Sequence, residues 1–178
     1  TTYKVKVKAM QGKFSETGDG PTATAISDHP SITFSVTTTL SGTPPFNVSF
    51  SSLAANTVYS ADADPLLAIT SNAAFGGSVY IYDTNAGLYS AASSYTIGSA
   101  NADLISAGSG YGAQVISTGQ ASGGPISAQV PFNGVGDNVG SISTLPQPII
   151  STSSPVNSGT ATVRMKAKTD SLVPASND

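Results

Sequence analysis

Residues 3–10 read Y-K-V-K-V-K-A-M, an alternation of apolar and basic residues with a period of two. Successive side chains of an extended strand point to opposite faces, so one face of this segment is apolar and the other is basic. The apolar face consists of Tyr3, Val5, Val7 and Ala9. This pattern predicts a β-strand near the start of the sequence.

Residues 161–168, A-T-V-R-M-K-A-K, repeat the same design further along the chain. Their apolar face consists of Val163, Met165 and Ala167. Because lysine and arginine on the solvated face protect a strand from stray pairing, we predict that both segments are edge strands. The two apolar faces are candidate interface residues, and solvated strands without a partner are the alternative.

The residues between these segments predict further short strands. Apolar and polar residues alternate in 32–36 and 46–50, while β-branched and aromatic residues dominate 78–83 and 111–117. Glycine, proline and asparagine punctuate the chain at roughly 8–12-residue spacing, which is typical of a sandwich or barrel. We therefore predict an all-β fold, an antiparallel β-sandwich of Ig-like or jelly-roll-like type.

The composition favours the same fold class. Charged residues make up 10% of the chain, against roughly 25% in an ordinary globular domain. Serine, threonine, asparagine and glycine, which weaken helices, supply the polarity instead. The 178 residues suffice for one domain with a core, and we assign 1–20 to an N-terminal arm and hinge and 21–178 to the body. A short helix at 103–106 is the one helical alternative.

The distribution of charge argues against several classes of partner. All seven basic residues lie within 4–13 or 164–168, and the net charge is −3. Nucleic-acid binding needs basic residues spread over a groove or a helix face, so we expect no nucleic-acid partner. No segment has the roughly 18 consecutive apolar residues of a membrane span. The absence of cysteine excludes disulfides and thiolate metal sites.

The residue types that carry catalysis are sparse. His29 is the only histidine, and no G-x-S-x-G motif accompanies it, so a Ser/His/Asp site is not expected. The glycine-rich residues 108–112 are not followed by a basic residue, which argues against a phosphate-binding loop. We expect no enzymatic activity and no organic cofactor.

A calcium ion is the one cofactor that the acidic residues suggest. Asp62 and Asp64 stand two residues apart in a predicted loop, and loop carboxylates are suitable ligands for a hard cation. Asp83 with Asn85 is a second, less complete candidate. The EF-hand pattern is absent, so a solvated acidic loop is the alternative interpretation.

Three parts of the sequence resemble a known group of proteins. They are S-V-Y-I-Y-D-T-N-A-G-L-Y-S at 78–90, G-Y-G-A-Q-V at 110–115, and S-T-S-S-P-V-N-S-G-T-A-T-V-R-M-K-A-K at 151–168 followed by L-V-P-A at 172–175. In these segments the chain resembles poorly characterised secreted bacterial surface proteins with a β-sandwich fold. The resemblance implies an extracellular or cell-surface structural role and transfers no catalytic residue.

The group continues after its P-A motif with a turn and a last strand, whereas this sequence ends at Asp178. The resemblance therefore leads us to expect a sandwich that lacks one strand and exposes an apolar groove. Residues 3–10 are suited to fill such a groove, in their own subunit or in a neighbour's by donor-strand complementation. A heterologous contact of the second kind builds a filament unless it closes into a ring. We therefore expect a homopolymeric subunit of an extracellular filament, tube or surface sheath, similar in logic to other strand-exchanging filament subunits.

Two other functions fit the same sequence. A cell-surface adhesin or carbohydrate-binding module would stack sugars on its tyrosines, which are Tyr80, Tyr82, Tyr89, Tyr95 and Tyr111. Sugar platforms favour tryptophan, which the chain lacks, so we expect these tyrosines to pack in the core and on sheet faces. A viral capsid or decoration protein is the third interpretation.

Overall fold

The structure is a computed structural model and describes residues 29–85, 87–91 and 93–171, together with four strands in the first 26 residues. Two compact units divide the chain, residues 1–31 and residues 32–178. Every pair of strands is antiparallel. The described residues contain no helix, so the prediction of an all-β antiparallel fold is confirmed.

The described strands are short except for two long ones in the second half of the chain. In chain order they are β1 (Thr2–Lys6), β2 (Met10–Gln11), β3 (Phe14–Ser15), β4 (Thr22–Ile26), β5 (Ile32–Thr38), β6 (Val58–Ser60), β7 (Pro65–Ser71), β8 (Gly77–Ile81), β9 (Gly87–Ser90), β10 (Tyr95–Gly98), β11 (Ala102–Asp103), β12 (Gly110–Gly119), β13 (Ser122–Gly123), β14 (Ser127–Ala128), β15 (Asn138–Val139), β16 (Gln147–Thr152) and β17 (Val156–Lys168).

The first unit contains two small antiparallel pairs. β1 pairs with β4 along its whole length, and β2 pairs with β3. Tyr3 and Val5 belong to β1, so the strand predicted at residues 3–10 is confirmed for its first part. Val7 and Ala9 lie outside the described residues.

The main sheet of the second unit has the strand order β12–β17–β7–β5. β17 is 13 residues long and lies between β12 on one side and β7 on the other. The short strands β6 and β13 also pair with β17. This strand therefore has hydrogen-bonded neighbours along both of its edges.

The prediction that residues 161–168 form an edge strand is wrong, because they belong to the central strand of the sheet. Their lysines do not lie on a solvated face either. Lys166 and Lys168 are each only 7% exposed. The same alternation of apolar and basic residues occurs in a strand whose basic face is covered by loops and in one whose basic face is in water. The pattern alone therefore does not distinguish a buried basic face from a solvated one.

Loops that fold over β17 supply hydrogen-bond acceptors to these two lysines. The Lys166 ammonium donates hydrogen bonds to the carbonyl of Gly136 and to Asp137 Oδ1, the latter at 3.0 Å. The Lys168 ammonium donates to two carbonyls of the turn at 105–107, at 2.9 and 2.7 Å. A buried ammonium is tolerated when such acceptors replace its water, which explains how a basic strand occupies the centre of a sheet.

A second sheet has three strands in the order β14–β16–β8. Alternate residues of a strand point to the same side, so each sheet presents one apolar face. Apolar side chains of both sheets and of the connecting segments form one core, which includes Leu67, Ile69, Ala113, Val115, Phe132, Ile142, Ile149, Ile150 and Val163. Two further pairs, β9 with β10 and β11 with β15, complete the unit.

Two local predictions are wrong in this unit. Residues 46–50 alternate like a strand but form none, although the Ser49 carbonyl accepts the amide of Asp62 at 2.8 Å. Residues 104–106 form a turn in place of the helical alternative. In this turn Asp103 Oδ1 accepts the amide of Ile105 at 3.0 Å, which is the backbone hydrogen bond that aspartate offers in competition with a helix.

Candidate strand-binding groove

Two strands of the second unit have a free edge beside the core. β5 is the last strand of the main sheet and β8 is the last strand of the second sheet, and no strand in the described part of the chain pairs with their outer edges. Phe34 of β5 and Tyr80 of β8 line the same cavity, which places the two free edges opposite each other. Ile32 and Phe34 remain 58% and 51% exposed. The core is therefore open between β5 and β8.

This opening leads into an apolar groove of about 310 Å³. The residues that line it are all apolar or aromatic, and they come from both sheets; among them are Val36, Leu67, Val163 and Met165 of the main sheet and Val79 and Ile149 of the second. Side chains that border an empty apolar volume lose dispersion contacts on that side. An apolar occupant would therefore be stabilised here.

The groove is narrow at one end, where β8 approaches the start of β5. A Cβ atom added to Gly77 would lie 3.2 Å from Ile32 Cδ1 and 3.5 Å from Ile69 Cδ1. Ile69 is only 3% exposed, so the core is closed at this point. At this end the Ile32 side chain therefore reaches across to Gly77 of β8.

The groove is wide toward the other end of β5. Val36, four residues further along β5, lines it together with Met165 from the last third of β17. Val48 and Phe50 border the groove from the segment between β5 and β6 that forms no strand. The empty volume therefore lies at the Val36 end of the groove and not at the Gly77 end.

An ion pair fixes the backbone beside the wide end. Arg164 Nε and Nη2 donate to Asp64 Oδ1 and Oδ2 at 3.0 and 2.5 Å. The Thr39 amide donates to the Asp64 carbonyl and the Asp64 amide to Thr39 Oγ1, both at 3.0 Å. The hydrogen bond to Asp64 raises the pKa of Arg164, although partial burial opposes it. Because Thr39 follows β5 and Asp64 precedes β7, these contacts hold the ends of the two strands together.

The predicted calcium ligands lie in separate environments. Both oxygens of Asp64 are engaged by the guanidinium described above. Asp62 Oδ2 accepts the hydroxyl of Ser51 at 2.8 Å. Asp83 Oδ1 accepts the amide of Asn85 at 3.0 Å. The described residues contain no cluster of three His, Cys, Asp or Glu side chains that could hold a metal ion, and calcium binding stays a prediction.

Two tyrosines, Tyr80 of β8 and Tyr111 of β12, line the groove, and Tyr111 lies toward the Met165 end because it pairs with Ala167, two residues further along β17. Burial, and to a lesser extent the nearby Asp83 carboxylate, raise the pKa of Tyr111 to about 12. The groove therefore contains a half-buried tyrosine hydroxyl among otherwise apolar walls.

The predicted interface residues fall into three places. Val163 and Met165 line the groove. Ala167 is fully buried, with 0% exposure. Tyr3 and Val5 lie in β1 of the first unit. Their participation in an interface between subunits stays a prediction.

Sequence reasoning missed the residues on the open side of the groove. Phe34 and Val36 have the pattern of an ordinary half-buried strand, and nothing in that pattern shows that β5 ends a sheet. Val48 and Phe50 were predicted to belong to a strand. Their alternation directly follows a Pro-Pro pair, and proline argues against a regular strand. This position in the sequence therefore indicates an apolar segment that packs on the core without forming a strand.

The tyrosines identified from the sequence differ in exposure. Tyr80, Tyr82 and Tyr89 are 59%, 61% and 52% exposed, so none of these three packs in the core, while Tyr80 and Tyr89 do lie on strands, β8 and β9. Tyr95 and Tyr111 are half-buried. Residues two apart in an extended segment share a face at a spacing of about 7 Å, so Tyr80 and Tyr82 form a small exposed aromatic pair.

Comparisons with known proteins give no assignment, since no family model, curated protein or solved structure matches this chain. Among the described residues, no helix has the length and apolar character needed to cross a membrane. The groove and the charges around it are the structural features that bear on function.

Proposed function

We propose that this chain is a non-enzymatic structural subunit of an extracellular filament, tube or surface sheath. In this proposal the body is a β-sandwich, and each subunit inserts its N-terminal strand into the groove of a neighbour. The observation that supports it best is the apolar groove between the free edges of β5 and β8.

The groove is costly for a subunit that remains alone. No described strand pairs with the outer edge of β5, and Ile32 and Phe34 are more than half exposed beside it. A long free edge with apolar side chains is a template for pairing with another chain. A strand inserted between β5 and β8 would pair with the backbone of β5 and cover these side chains.

The N-terminal strand has the pattern that such a groove requires. One of its faces is apolar and can enter the groove, while the lysines on the other face stay in water. In the structure β1 is paired with β4 in a separate compact unit, so insertion requires this pair to open. A two-stranded ladder is marginally stable in water, and the cost of opening it is therefore small.

Charge complementarity also favours this occupant. Residues 1–13 contain four lysines and no acidic residue, whereas residues 32–178 contain three basic residues and seven aspartates. Asp83 lies close to the groove residue Tyr111. Asp62 binds Ser51, next to the segment that borders the wide end. A basic strand is attracted to an acidic acceptor surface of this kind.

Electron microscopy of the entire chain tests the proposal, and we expect long uniform fibres. Phe34→Lys places a charge at the mouth of the groove and should abolish them. Because Phe34 is 51% exposed, this substitution should leave the fold intact. Ile116→Lys is the matched control, since Ile116 is 40% exposed on β12 at the opposite edge of the same sheet.

Circular dichroism must show the same β-rich spectrum for both variants. Fibres that survive Phe34→Lys would contradict the role of the groove. A monomer at micromolar concentration without fibres would contradict the assembly itself.

A binding module is the second candidate, because three tyrosines are more than half exposed. Tyr80 and Tyr82 form a pair on β8 and the residue after it, and aromatic faces of this kind can stack on sugar rings. Glycan-array binding that is lost in Tyr82→Ala, with Ile116→Ala as the control, would favour this candidate. Tyr82 is not among the groove residues, so its substitution should leave fibre formation unchanged.

A further inference from the structure

We infer that the donor strand enters the groove antiparallel to β5, with Tyr3 at the wide end opposite Val36 and Val5 opposite Phe34. This inference rests on the proposed function, since it specifies how the N-terminal strand of a second copy occupies the groove. It identifies Tyr3 as the residue that sets the direction of insertion.

The taper of the groove supplies the direction. At the narrow end, a single carbon added to Gly77 would already be in tight contact with Ile32. At the Val36 end, empty apolar space of about 310 Å³ remains. A strand whose side chains differ in size therefore fits the groove better in one direction than in the other.

The apolar side chains of the donor go from large to small along the chain, from Tyr3 through the equal-sized Val5 and Val7 to Ala9. Neighbours on one face of a strand are about 7 Å apart, so they follow the groove from one end to the other. A tyrosine at the narrow end would overpack it, whereas the wide end has room for the ring. Tyr3 therefore belongs at the Val36 end.

The hydroxyl of the tyrosine gives a second reason. A buried tyrosine hydroxyl usually finds a hydrogen-bond partner. Tyr111 lines the groove, and its hydroxyl is such a partner. At the narrow end the atoms nearest a Cβ at Gly77 belong to Ile32 and Ile69, and the Ser71 hydroxyl there is already engaged, since it donates to the Gly76 carbonyl and accepts from the Ala73 amide.

The acceptor edge is β5 because β5 is paired more regularly within its own sheet than β8 is. β5 pairs with β7 in an unbroken register over all 7 of its residues. The pairing of β8 with β16 contains an irregularity, so β5 offers the more regular edge.

Disulfide trapping tests the direction in a chain that has no cysteine of its own. Val7→Cys, which leaves Tyr3 in place, is combined with Ile32→Cys in one variant of the entire chain and with Val36→Cys in another. In the proposed register Val7 lies opposite Ile32, whereas in the reversed direction it would lie opposite Val36. Opposed residues of an antiparallel pair have Cα atoms about 4.5–5.5 Å apart, within reach of a disulfide. An offset of four residues separates them by roughly 13 Å.

After assembly and oxidation, we expect a ladder of covalent multimers from the Val7→Cys, Ile32→Cys variant on a non-reducing denaturing gel. The variant with Val36→Cys should form no ladder. The single-cysteine variants control for chance collisions, since each can form dimers but no ladder. Their circular dichroism spectra report whether the substitutions preserve the fold.

The other outcomes separate two kinds of failure. A ladder from the Val36→Cys combination alone would overturn the antiparallel direction but keep strand exchange. A monomer with an internal Val7→Cys, Ile32→Cys disulfide would keep the direction and overturn the exchange between subunits. If fibres form but neither variant is cross-linked, this register alone is overturned. If neither cross-links nor fibres form, the proposed function is overturned as well.

Discussion

At the scale of single residues, the two partners of the Arg164–Asp64 ion pair differ in their access to water. The side chain of Asp64 is 11% exposed and that of Arg164 is 38% exposed. Loss of the arginine would leave a buried carboxylate without its main partner, whereas loss of the carboxylate would leave a guanidinium that water can reach. The cost of an unpaired polar group depends on this difference.

We expect Arg164→Met to lower the free energy of unfolding by about 1–3 kcal/mol, and Asp64→Asn to lower it by less. Urea denaturation followed by circular dichroism measures both changes. Arg164→Lys is the matched control, because lysine keeps the charge but lacks the two-pronged hydrogen bond, and its effect should be intermediate. Equal losses in Arg164→Met and Asp64→Asn would show that the burial of Asp64 does not matter.

Tyr111 makes the stability of the body sensitive to alkaline pH. Its pKa in the folded state is about 12, whereas an unfolded tyrosine titrates near about 10. The folded state thus holds the proton more tightly. The stabilising contribution is complete below pH 10 and is lost as the pH rises toward 12.

We expect the free energy of unfolding to fall by on the order of 1 kcal/mol per pH unit between these two values because of this group. Urea titrations at several pH values across this range measure the slope. Tyr111→Phe removes the ionisable hydroxyl and should give a shallower slope. The same slope in both proteins would assign the effect to other groups.

At the scale of strands, the alternation of apolar and polar residues predicts the positions of strands in the sequence. It does not predict which strands are neighbours in a sheet. The segments of β5, β8, β12 and β17 were all visible in the sequence, because alternation is a local property of a half-buried strand. The order β12–β17–β7–β5 depends on contacts between segments far apart in the chain. This is why the alternation at residues 161–168 predicts an edge strand, whereas β17 lies at the centre of the sheet.

The candidate site was predictable to a similar extent. Val163 and Met165 were recognised because they alternate with basic residues on β17. The exposure of Phe34 follows from the position of β5 at the end of a sheet, which no local pattern encodes. The coverage of Lys166 by Asp137 likewise comes from a loop 29 residues away in sequence.

Gly159 shows how closely the elements pack at the centre of the main sheet. It lies in β17 where the register with β7 shifts. A Cβ atom there would be 2.2 Å from Ile126 Cδ1 and 3.1 Å from the carbonyl oxygen of Ile69. An added methyl group would therefore have to displace the core.

We expect Gly159→Ala to lower the free energy of unfolding by about 1–3 kcal/mol through overpacking. Gly98→Ala is the control, since nothing lies within 4 Å of a Cβ at that strand position, and it should change stability by no more than about 0.5 kcal/mol. Thermal denaturation of the two variants measures the difference. A neutral Gly159→Ala would mean that Ile126 moves aside without cost.

At the scale of the whole molecule, the two units differ in charge. The lysines of residues 1–13 carry no acidic neighbour within that segment, while aspartates outnumber basic residues in 32–178. In addition, the basic residues of β17 are engaged internally, by Asp64, by Asp137 and by loop carbonyls. In the proposed assembly, charge should therefore attract the copies over long distances, and burial of apolar side chains should hold them together at contact.

We expect the rate of assembly to fall by on the order of tenfold when the ionic strength rises from about 20 mM to about 500 mM, because the Debye length shrinks from roughly 20 Å to roughly 4 Å. Light scattering follows the rate. The triple variant Lys4→Thr, Lys6→Thr, Lys8→Thr keeps the apolar face and should assemble slowly at both salt concentrations. A rate that does not respond to salt would leave no role for charge in the encounter.

The central position of β17 determines where a protease can cut this protein. Trypsin cleaves after lysine and arginine, and the chain offers no such residue between Lys13 and Arg164. The sites at Arg164, Lys166 and Lys168 lie in a strand that is hydrogen-bonded along both edges, and a protease can bind such a backbone only after it has unfolded. The remaining sites all lie in the first 13 residues. Digestion should therefore trim the N-terminal strand from free subunits and spare it wherever a neighbour has enclosed it, so that resistance to trypsin becomes a measure of polymerisation.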